Sequence, residues 1–428
     1  MDIAVLFITM LVLIIIGVPI GYSIGFATLL TMVLYTDIPI IIIAQKAFNG
    51  VDSFPLMAIP FFILAGTLMT HGGIAKRILN FINVFIGPIT GGLGIVTTIS
   101  CMFFGAISGS AIATTSAMGS FMIPAMAEKK YDKSFAAAIC ASAGTIGIII
   151  PPSIPFVIYG VVTNTSIGDL FIAGIIPGVL MGIALMITCY IISKKNGYVG
   201  DNIKPSASLA WKEFKSAIWA LLSPIIVLGG IYGGVFTPTE AAVISVVYSF
   251  IIGGFVYKEL SIQKIKRALY DTIIINGITT FMIGLSMVFA TYLSLNQIPQ
   301  RIADFLLSVT DNTILLLLLI NLFLLIVGCL IDNIPACIIL APILLPVVTN
   351  LGMSPLQFGI VLTMNLAIGF ITPPYGPNLF VASSVANISV DTMFKKILPF
   401  IFALFIVLLI VTYYPATTMF LVNMMSAK

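Results

Sequence analysis

Charge is scarce in this sequence. Asp, Glu, Lys and Arg make up 8% of its 428 residues, against about 25% in a soluble domain. Hydrophobic residues reach 60%, so most of the chain faces lipid or other apolar helices. Histidine is scarcer still. His71, in a Gly-rich turn, is the one histidine, which argues against a histidine-ligated metal and a His-based catalytic dyad. The five cysteines, Cys101, Cys140, Cys189, Cys329 and Cys337, stand singly in apolar sequence with no Cys-x-x-Cys pair. They read as small hydrophobes in helix packing rather than as disulfides or thiol nucleophiles. With no Ser/His pair, no His-Glu-x-x-His and no paired intramembrane aspartates, the sequence does not read as an enzyme. The net charge of +4 is modest and is better explained by loop topology than by nucleic acid. Positive charge is missing at the start as well: Asp2 stands where a signal peptide would be basic, and no small-residue cleavage site follows, so the first apolar run reads as a membrane helix.

What is abundant is uninterrupted apolar sequence. The longest runs reach the roughly 20 residues that span a bilayer core. In hydrocarbon every backbone amide must be paired internally, which leaves helices or closed barrels. The runs lack the period-2 alternation of a barrel strand. The expected fold class is an all-α polytopic membrane protein, in lipid.

Gly/Pro punctuation and charge divide the chain into helices at about 2–17, 18–36 and 55–70, with an amphipathic stretch near 39–50. A segment follows at about 79–127, interrupted at Ser108-Gly109-Ser110. Next come a helix at about 134–162 broken at Pro151-Pro152, and one at about 168–193. The polar stretch 194–215, with both signs of charge and Pro205, reads as a cytoplasmic linker. The order then repeats: helices at about 216–234, 240–257 and 270–293, an amphipathic piece near 297–308, a segment at about 312–350 interrupted around Asp332-Asn333, a helix at about 355–386 broken at Pro373-Pro374, and a last helix at about 391–413.

The halves match residue by residue. Pro151-Pro152 and Pro373-Pro374 lie 222 positions apart, and the same offset pairs Pro124 with Pro346, Gly147 with Gly369, Pro155 with Pro377, Asp169 with Asp391 and Pro177 with Pro399. Such agreement without a gap indicates a duplication, with repeats at 1–193 and 216–428. Reading the interrupted segments as re-entrant hairpins (hairpin 1 at about 87–127, hairpin 2 at about 312–350) gives each repeat five crossings. Five is odd, so the repeats are expected to be inverted. With the N-terminus outside, only Lys46, Arg301 and Lys428 of the nineteen basic residues fall on the outer face, as the positive-inside rule requires.

Two interruptions per repeat carry the chemistry. A proline within a membrane helix frees a carbonyl upstream and removes its own donor. Two in succession leave carbonyls such as those of Gly147, Ile149 and Ile371 without partners, which is costly in hydrocarbon unless something binds them. A dehydrated Na⁺ prefers such oxygens. The hydroxyls of Ser108, Ser110 and Thr372 and the carboxylate of Asp332 can complete a shell. The helix N-termini beyond each break suit a substrate carboxylate, with Gly109, Thr145, Asn333, Pro374, Gly376 and Asn378 as substrate-binding candidates. Alternatives stand beside this: Ser108-Gly109-Ser110 also fits a small-residue helix contact, and Asp332 also fits a helix N-cap with Asn333. Glu240, in Thr237-Pro238-Thr239-Glu240, reads as a structural cap.

Phe54-Pro55-Leu56-Met57-Ala58-Ile59-Pro60-Phe61-Phe62 with Ile63-Leu64-Ala65-Gly66, His71-Gly72-Gly73-Ile74, Gly105 to Ala111, Thr237-Pro238-Thr239-Glu240-Ala241-Ala242 and Thr372-Pro373-Pro374-Tyr375-Gly376 resemble the large membrane subunit of tripartite ATP-independent periplasmic (TRAP) transporters, over essentially the whole chain. The resemblance implies an elevator-type ion transporter of the bacterial inner membrane, in which hairpins and broken helices slide against a scaffold. It implies Na⁺ as coupling ion and no cofactor, and it implies two partners: a small four-helix membrane subunit, expected as a separate chain, and a periplasmic substrate-binding protein that delivers an organic acid such as a dicarboxylate or sialic acid. One sodium site would then use Ser108, Ser110, Gly147, Ile149 and Pro152, and the other Asp332 and Thr372. A stand-alone sodium-coupled organic-anion transporter is the alternative.

Overall fold

The structure is a computed structural model that describes residues 2–36, 39–201, 206–310 and 312–426; Lys204, Pro205 and Lys428 lie outside them. Among the described residues every regular element is helical. Seven helices among the described residues are long and apolar enough to cross a membrane, and further apolar helices of 10–17 residues accompany them.

The chain opens with α1 (Asp2–Ile15), α2 (Ile20–Tyr35), α3 (Ile41–Val51), and α4 (Ala58–His71), which a single 3₁₀ turn over Phe54–Met57 introduces. Gly73, in the left-handed region at φ 74°, turns α4 into the amphipathic α5 (Ile74–Ile86). Two helices then run tip to tip, α6 (Gly92–Ser108) and α7 (Ala111–Glu128), joined only by Gly109-Ser110. The first broken helix is α8 (Lys133–Gly144), a 3₁₀ turn (Thr145–Ile148), and α9 (Ile154–Thr163), and α10 (Ile167–Asn196) closes the half.

The second half begins with α11 (Ala207–Tyr232) and α12 (Pro238–Ile251), which a π turn (Ile252–Val256) extends. It continues with α13 (Ile262–Leu295), α14 (Ile298–Val309), the pair α15 (Thr313–Gly328) and α16 (Asn333–Asn350), the broken helix α17 (Pro355–Gly369) and α18 (Pro377–Ala386), then α19 (Val390–Tyr413) and α20 (Ala416–Ser426). The series α4 to α10 therefore recurs in kind as α13 to α19.

Helix starts follow the side chains available to satisfy the first free N–H groups. Ser110, Asp132, Ser153, Ser166, Ser206, Ser261, Asn312, Asp332 and Ser354 each accept a backbone N–H in the first turn of the helix they precede. Thr237 and Glu240 form the reciprocal capping box of α12, so Glu240 has the structural role expected of it. Two boundaries differ from the sequence reading. Residues 194–215 are not all linker, because α10 runs on to Asn196 and α11 starts at Ala207; Lys and Glu are good helix formers, so charge alone does not end a helix. The short α20 follows α19 after Tyr414-Pro415 and packs against α10 and α17.

Packing interlaces the halves. α18 lies on α7 and α8, while α9 lies on α16 and α17, so the far part of each broken helix rests on the other half's interrupted pair. Hydrogen bonds fix both exchanges: Tyr159 Oη donates to the Pro355 carbonyl at 2.7 Å, and Asn378 Nδ2 donates to the Ala141 carbonyl at 3.1 Å. Around this unit α13 packs on α2, α3 and α4, and α12 on α4 and α11. The two assemblies touch through α4 with α6 and through α13 with α16.

Polar ends knit loops together. Lys129 Nζ meets Asp201 Oδ1 at 2.7 Å and Lys396 Nζ meets Asp132 Oδ2 at 3.3 Å, which gathers the 128–132 turn, the stretch after α10 and the start of α19 at one end. Arg77 Nη1 lies 2.7 Å from Glu259 Oε1, tying α5 to the loop before α13.

Candidate functional site

Both interruptions of the first half meet. At Gly109 the chain takes φ 61°, and a Cβ there would lie 2.9 Å from the Pro152 carbonyl oxygen. The Gly109 carbonyl accepts the Ile154 N–H at 3.3 Å, so the tip of α6–α7 is latched onto the break that follows Pro151-Pro152. One turn away Gly105 abuts Gly147: a Cβ on Gly105 would sit 2.6 Å from Gly147 Cα. Only glycine allows backbones this close approach.

Oxygens collect at this junction. Ser108 Oγ lies 3.0 Å from Thr114 Oγ1, Thr114 Oγ1 donates to the Ser110 carbonyl at 2.7 Å, and Ser110 Oγ caps the Ala113 N–H at 3.3 Å. A Cβ at Gly147 would meet Thr114 Oγ1 at 2.6 Å and the Ser110 carbonyl oxygen at 3.0 Å. The structure thus brings Ser108, Ser110, Gly147 and Pro152 together. The Ile149 carbonyl oxygen lies instead against Gly174 of α10, 2.6 Å from the position of a Cβ there. Thr114 and Ser153 were missed by the sequence reading. Ser153 donates to the Ile148 carbonyl at 2.6 Å and caps Phe156, so it satisfies one of the carbonyls that the break releases.

The second half repeats the arrangement. Tyr375 N–H donates to the Cys329 carbonyl at 3.0 Å, again latching a tip to the break beyond a Pro-Pro pair, and a Cβ on Gly369 would overlap the backbone of Gly328. Both Pro-Pro peptides are cis. Asp332 caps α16 through Oδ1, which accepts the Ile334 N–H at 3.4 Å, while Oδ2 accepts the Tyr375 hydroxyl at 3.4 Å. Thr372 Oγ1 donates to the Ile368 carbonyl at 2.8 Å and also meets the Cys329 side chain. Asp332 is therefore both a helix cap, as one reading allowed, and a carboxylate at the tip.

The two tips open into one cavity of about 260 Å³, lined by Ser108, Gly109, Ser110, Asp332 and Asn333, with α4 and α13 on the opposite wall contributing Thr67, Thr70 and Thr279. Of the substrate-binding candidates, Gly109 and Asn333 line this space, whereas Thr145, Pro374, Gly376 and Asn378 do not. Thr145 donates to the Ser142 carbonyl at 2.6 Å, inside its own helix, and Asn378 clasps α8. Asn333 is 2% exposed, and its amide nitrogen and oxygen have no hydrogen-bond partner. The threonines of the opposite wall were not legible as site residues, since each resembles an ordinary helical threonine until its face is known. Among the described residues no cluster of three His, Cys, Asp or Glu side chains is placed to hold a metal.

Over residues 7–417 the chain matches the family described as tripartite ATP-independent periplasmic transporter, DctM component. It is 47% identical over 410 residues to the isethionate TRAP transporter permease protein DctMQ of Oleidesulfovibrio alaskensis, covering 95% of this chain but only 64% of that protein's length. It is 42% identical over 405 residues to the sialic acid TRAP transporter large permease protein SiaM of Vibrio cholerae, covering 95% of each. With the C4-dicarboxylate TRAP transporter large permease protein DctM of the same organism it shares 39% over 440 residues, covering 97% of this chain and 96% of that one. Among solved structures, the Alcanivorax borkumensis YdaH transporter matches with a TM-score of 0.63 at 13% identity, over 87% of each chain, a likeness of fold alone.

Proposed function

This chain belongs to the DctM-component family of tripartite ATP-independent periplasmic transporters, multi-pass permeases of the bacterial inner membrane rather than enzymes, and on that premise we propose that it imports an organic acid by sodium-coupled symport. The observation that carries the reading is the convergence of both tips and both helix breaks on one cavity walled on its other side by α4 and α13.

One sodium site is assigned to Ser108, Ser110, Gly147 and Pro152, with Thr114 as an added oxygen, and the other to Asp332 and Thr372. Sodium at these positions neutralises Asp332 and satisfies oxygens that lipid would leave unpaired. Substrate binds between the tips and the opposite wall. Because the halves are interlaced through α7–α18 and α9–α16, the tips and breaks move as one body, and translocation is an elevator-like sliding of that body along α4 and α13. In this reading the repeats are inverted, with five crossings each.

Relatives named for isethionate, sialic acid and C4-dicarboxylate support an organic acid as cargo. The family's tripartite description supports two partners, a small membrane subunit that widens the scaffold and a periplasmic binding protein that delivers the acid. The test is uptake of labelled organic acids into proteoliposomes, with each protein and the sodium gradient omitted in turn. Uptake that needs all three proteins and sodium is expected. Sodium-driven uptake by this chain alone would replace the tripartite reading with that of a self-sufficient carrier.

A further inference from the structure

Gly66 closes the stretch Ile63-Leu64-Ala65-Gly66 of α4, and the ion and cargo chemistry assigned above makes no use of it. A Cβ there would lie 3.1 Å from both Cα and Cβ of Ser108. At this point the wall touches the first tip with only a hydrogen on its own side.

Both partners in the contact are held. On the tip side, Ser108 stands between Gly105, whose backbone abuts Gly147, and Gly109, whose carbonyl accepts the Ile154 N–H at 3.3 Å. On the wall side, Thr67 Oγ1 lies 3.1 Å from Thr272 Oγ1 of α13, and Thr70 Oγ1 donates back to the Gly66 carbonyl at 2.8 Å. An added methyl group would therefore overpack the contact and push the two assemblies apart.

The notch is also local. Residues three and four apart share a helix face, and on α4 the row Ile63, Gly66, Thr67 and Thr70 lines the cavity. Gly66 is the member of that row without a side chain. A displacement of one helical turn along α4, about 5.4 Å, would bring the Ser108 backbone against Ile63 or Thr70 instead.

We infer that Gly66 is the seat of the first tip, a positioning residue that holds the sliding body at one height on α4. The inference rests on the sliding proposed above and adds where that motion stops. The contact is one of dispersion, so it fixes a position with no side-chain hydrogen bond to break on leaving it. At this height the tips share one cavity with Thr67 and Thr70.

The experiment measures the separation of wall and sliding body by pulsed electron spin resonance on the purified full chain. Nitroxides are carried by Tyr270→Cys in α13 and Glu128→Cys at the end of α7, both exposed positions. The chain also carries Cys329→Ser, the other four native cysteines being buried. With Gly66 in place, sodium and choline buffers together are expected to show two separations, one of them that of this structure. Gly66→Ala should still unfold cooperatively, and should lose that population about fivefold or more in favour of the other. Gly277→Ala, in α13 with nothing within 4 Å of the added Cβ, should leave the populations as they were. Two separations in unchanged proportion in Gly66→Ala, or an equal loss in Gly277→Ala, overturn the seat and leave the sliding standing. A Gly66→Ala chain that does not fold makes the contact a structural one and overturns the seat as well. A single separation in every variant and both buffers overturns the sliding reading itself.

Discussion

Gly105 and Gly147 touch backbone to backbone: a Cβ on the first would lie 2.6 Å from the Cα of the second. Gly328 and Gly369 make the same contact in the other half, at the same point between a tip helix and a broken helix. Close approach at these two pairs lets each tip latch onto its break, through Ile154 N–H to Gly109 and through Tyr375 N–H to Cys329. Gly369→Ala should lower stability by about 1–3 kcal/mol through overpacking and reduce uptake at unchanged membrane insertion. Wild-type stability and uptake would show that the contact is not needed.

Asp332→Ala should abolish sodium-dependent uptake while the protein still folds and inserts. Its helix-capping role at α16 is a lesser one, since an Ncap substitution costs about 1 kcal/mol. Uptake at the wild-type rate in this variant would remove Asp332 from the ion site.

In the proposed ion site, Tyr375 and sodium compete for Asp332. The hydroxyl occupies Oδ2 at 3.4 Å, and an arriving cation must displace or share it. Tyr375→Phe should therefore bind sodium more tightly, lowering the half-saturating sodium concentration about fivefold for a hydrogen bond worth about 1 kcal/mol. A rise in that concentration would make Tyr375 part of the sodium-bound arrangement instead.

Thr114 joins Ser108 Oγ to the Ser110 carbonyl. Thr114→Val keeps the shape and removes the oxygen, and should raise the half-saturating sodium concentration roughly tenfold, equivalent to about 1.4 kcal/mol. Thr114→Ser should restore it. Equal values in wild type and both variants would place Thr114 outside the site.

Topology is tested by impermeant amine labelling at Lys76 and Lys395, both exposed. Labelling of both from the cytoplasmic side alone is expected from inverted repeats with the N-terminus outside. External labelling of Lys395 would break that topology.

Much of this was legible in the sequence because breaks in an apolar chain are conspicuous. Pro151-Pro152, Pro373-Pro374 and Ser108-Gly109-Ser110 stand out against their surroundings, and each marks an interruption in the structure. Which polar residues face the cavity was not legible. Asn333 and Asn378 follow similar interruptions, yet one lines the cavity and the other binds the Ala141 carbonyl. That difference is set by the interlacing of the halves, a tertiary fact with no local signature. Thr114 escaped notice for a related reason: a threonine bonded to the carbonyl four residues back is common in helices, and its neighbour Gly147 lies far away in sequence. The start of α11 at Ala207 was hidden by the charge around it, which marks exposure and not the end of a helix.

The central claim is that ions at paired sites carry the acid across. It is tested most directly by counting ions: co-flux of labelled sodium and labelled organic acid into proteoliposomes holding the chain with its small membrane subunit and binding protein. Two or more sodium ions entering with each acid molecule, falling together in Asp332→Ala, is the predicted result. Acid uptake that proceeds at the same rate without sodium would contradict it.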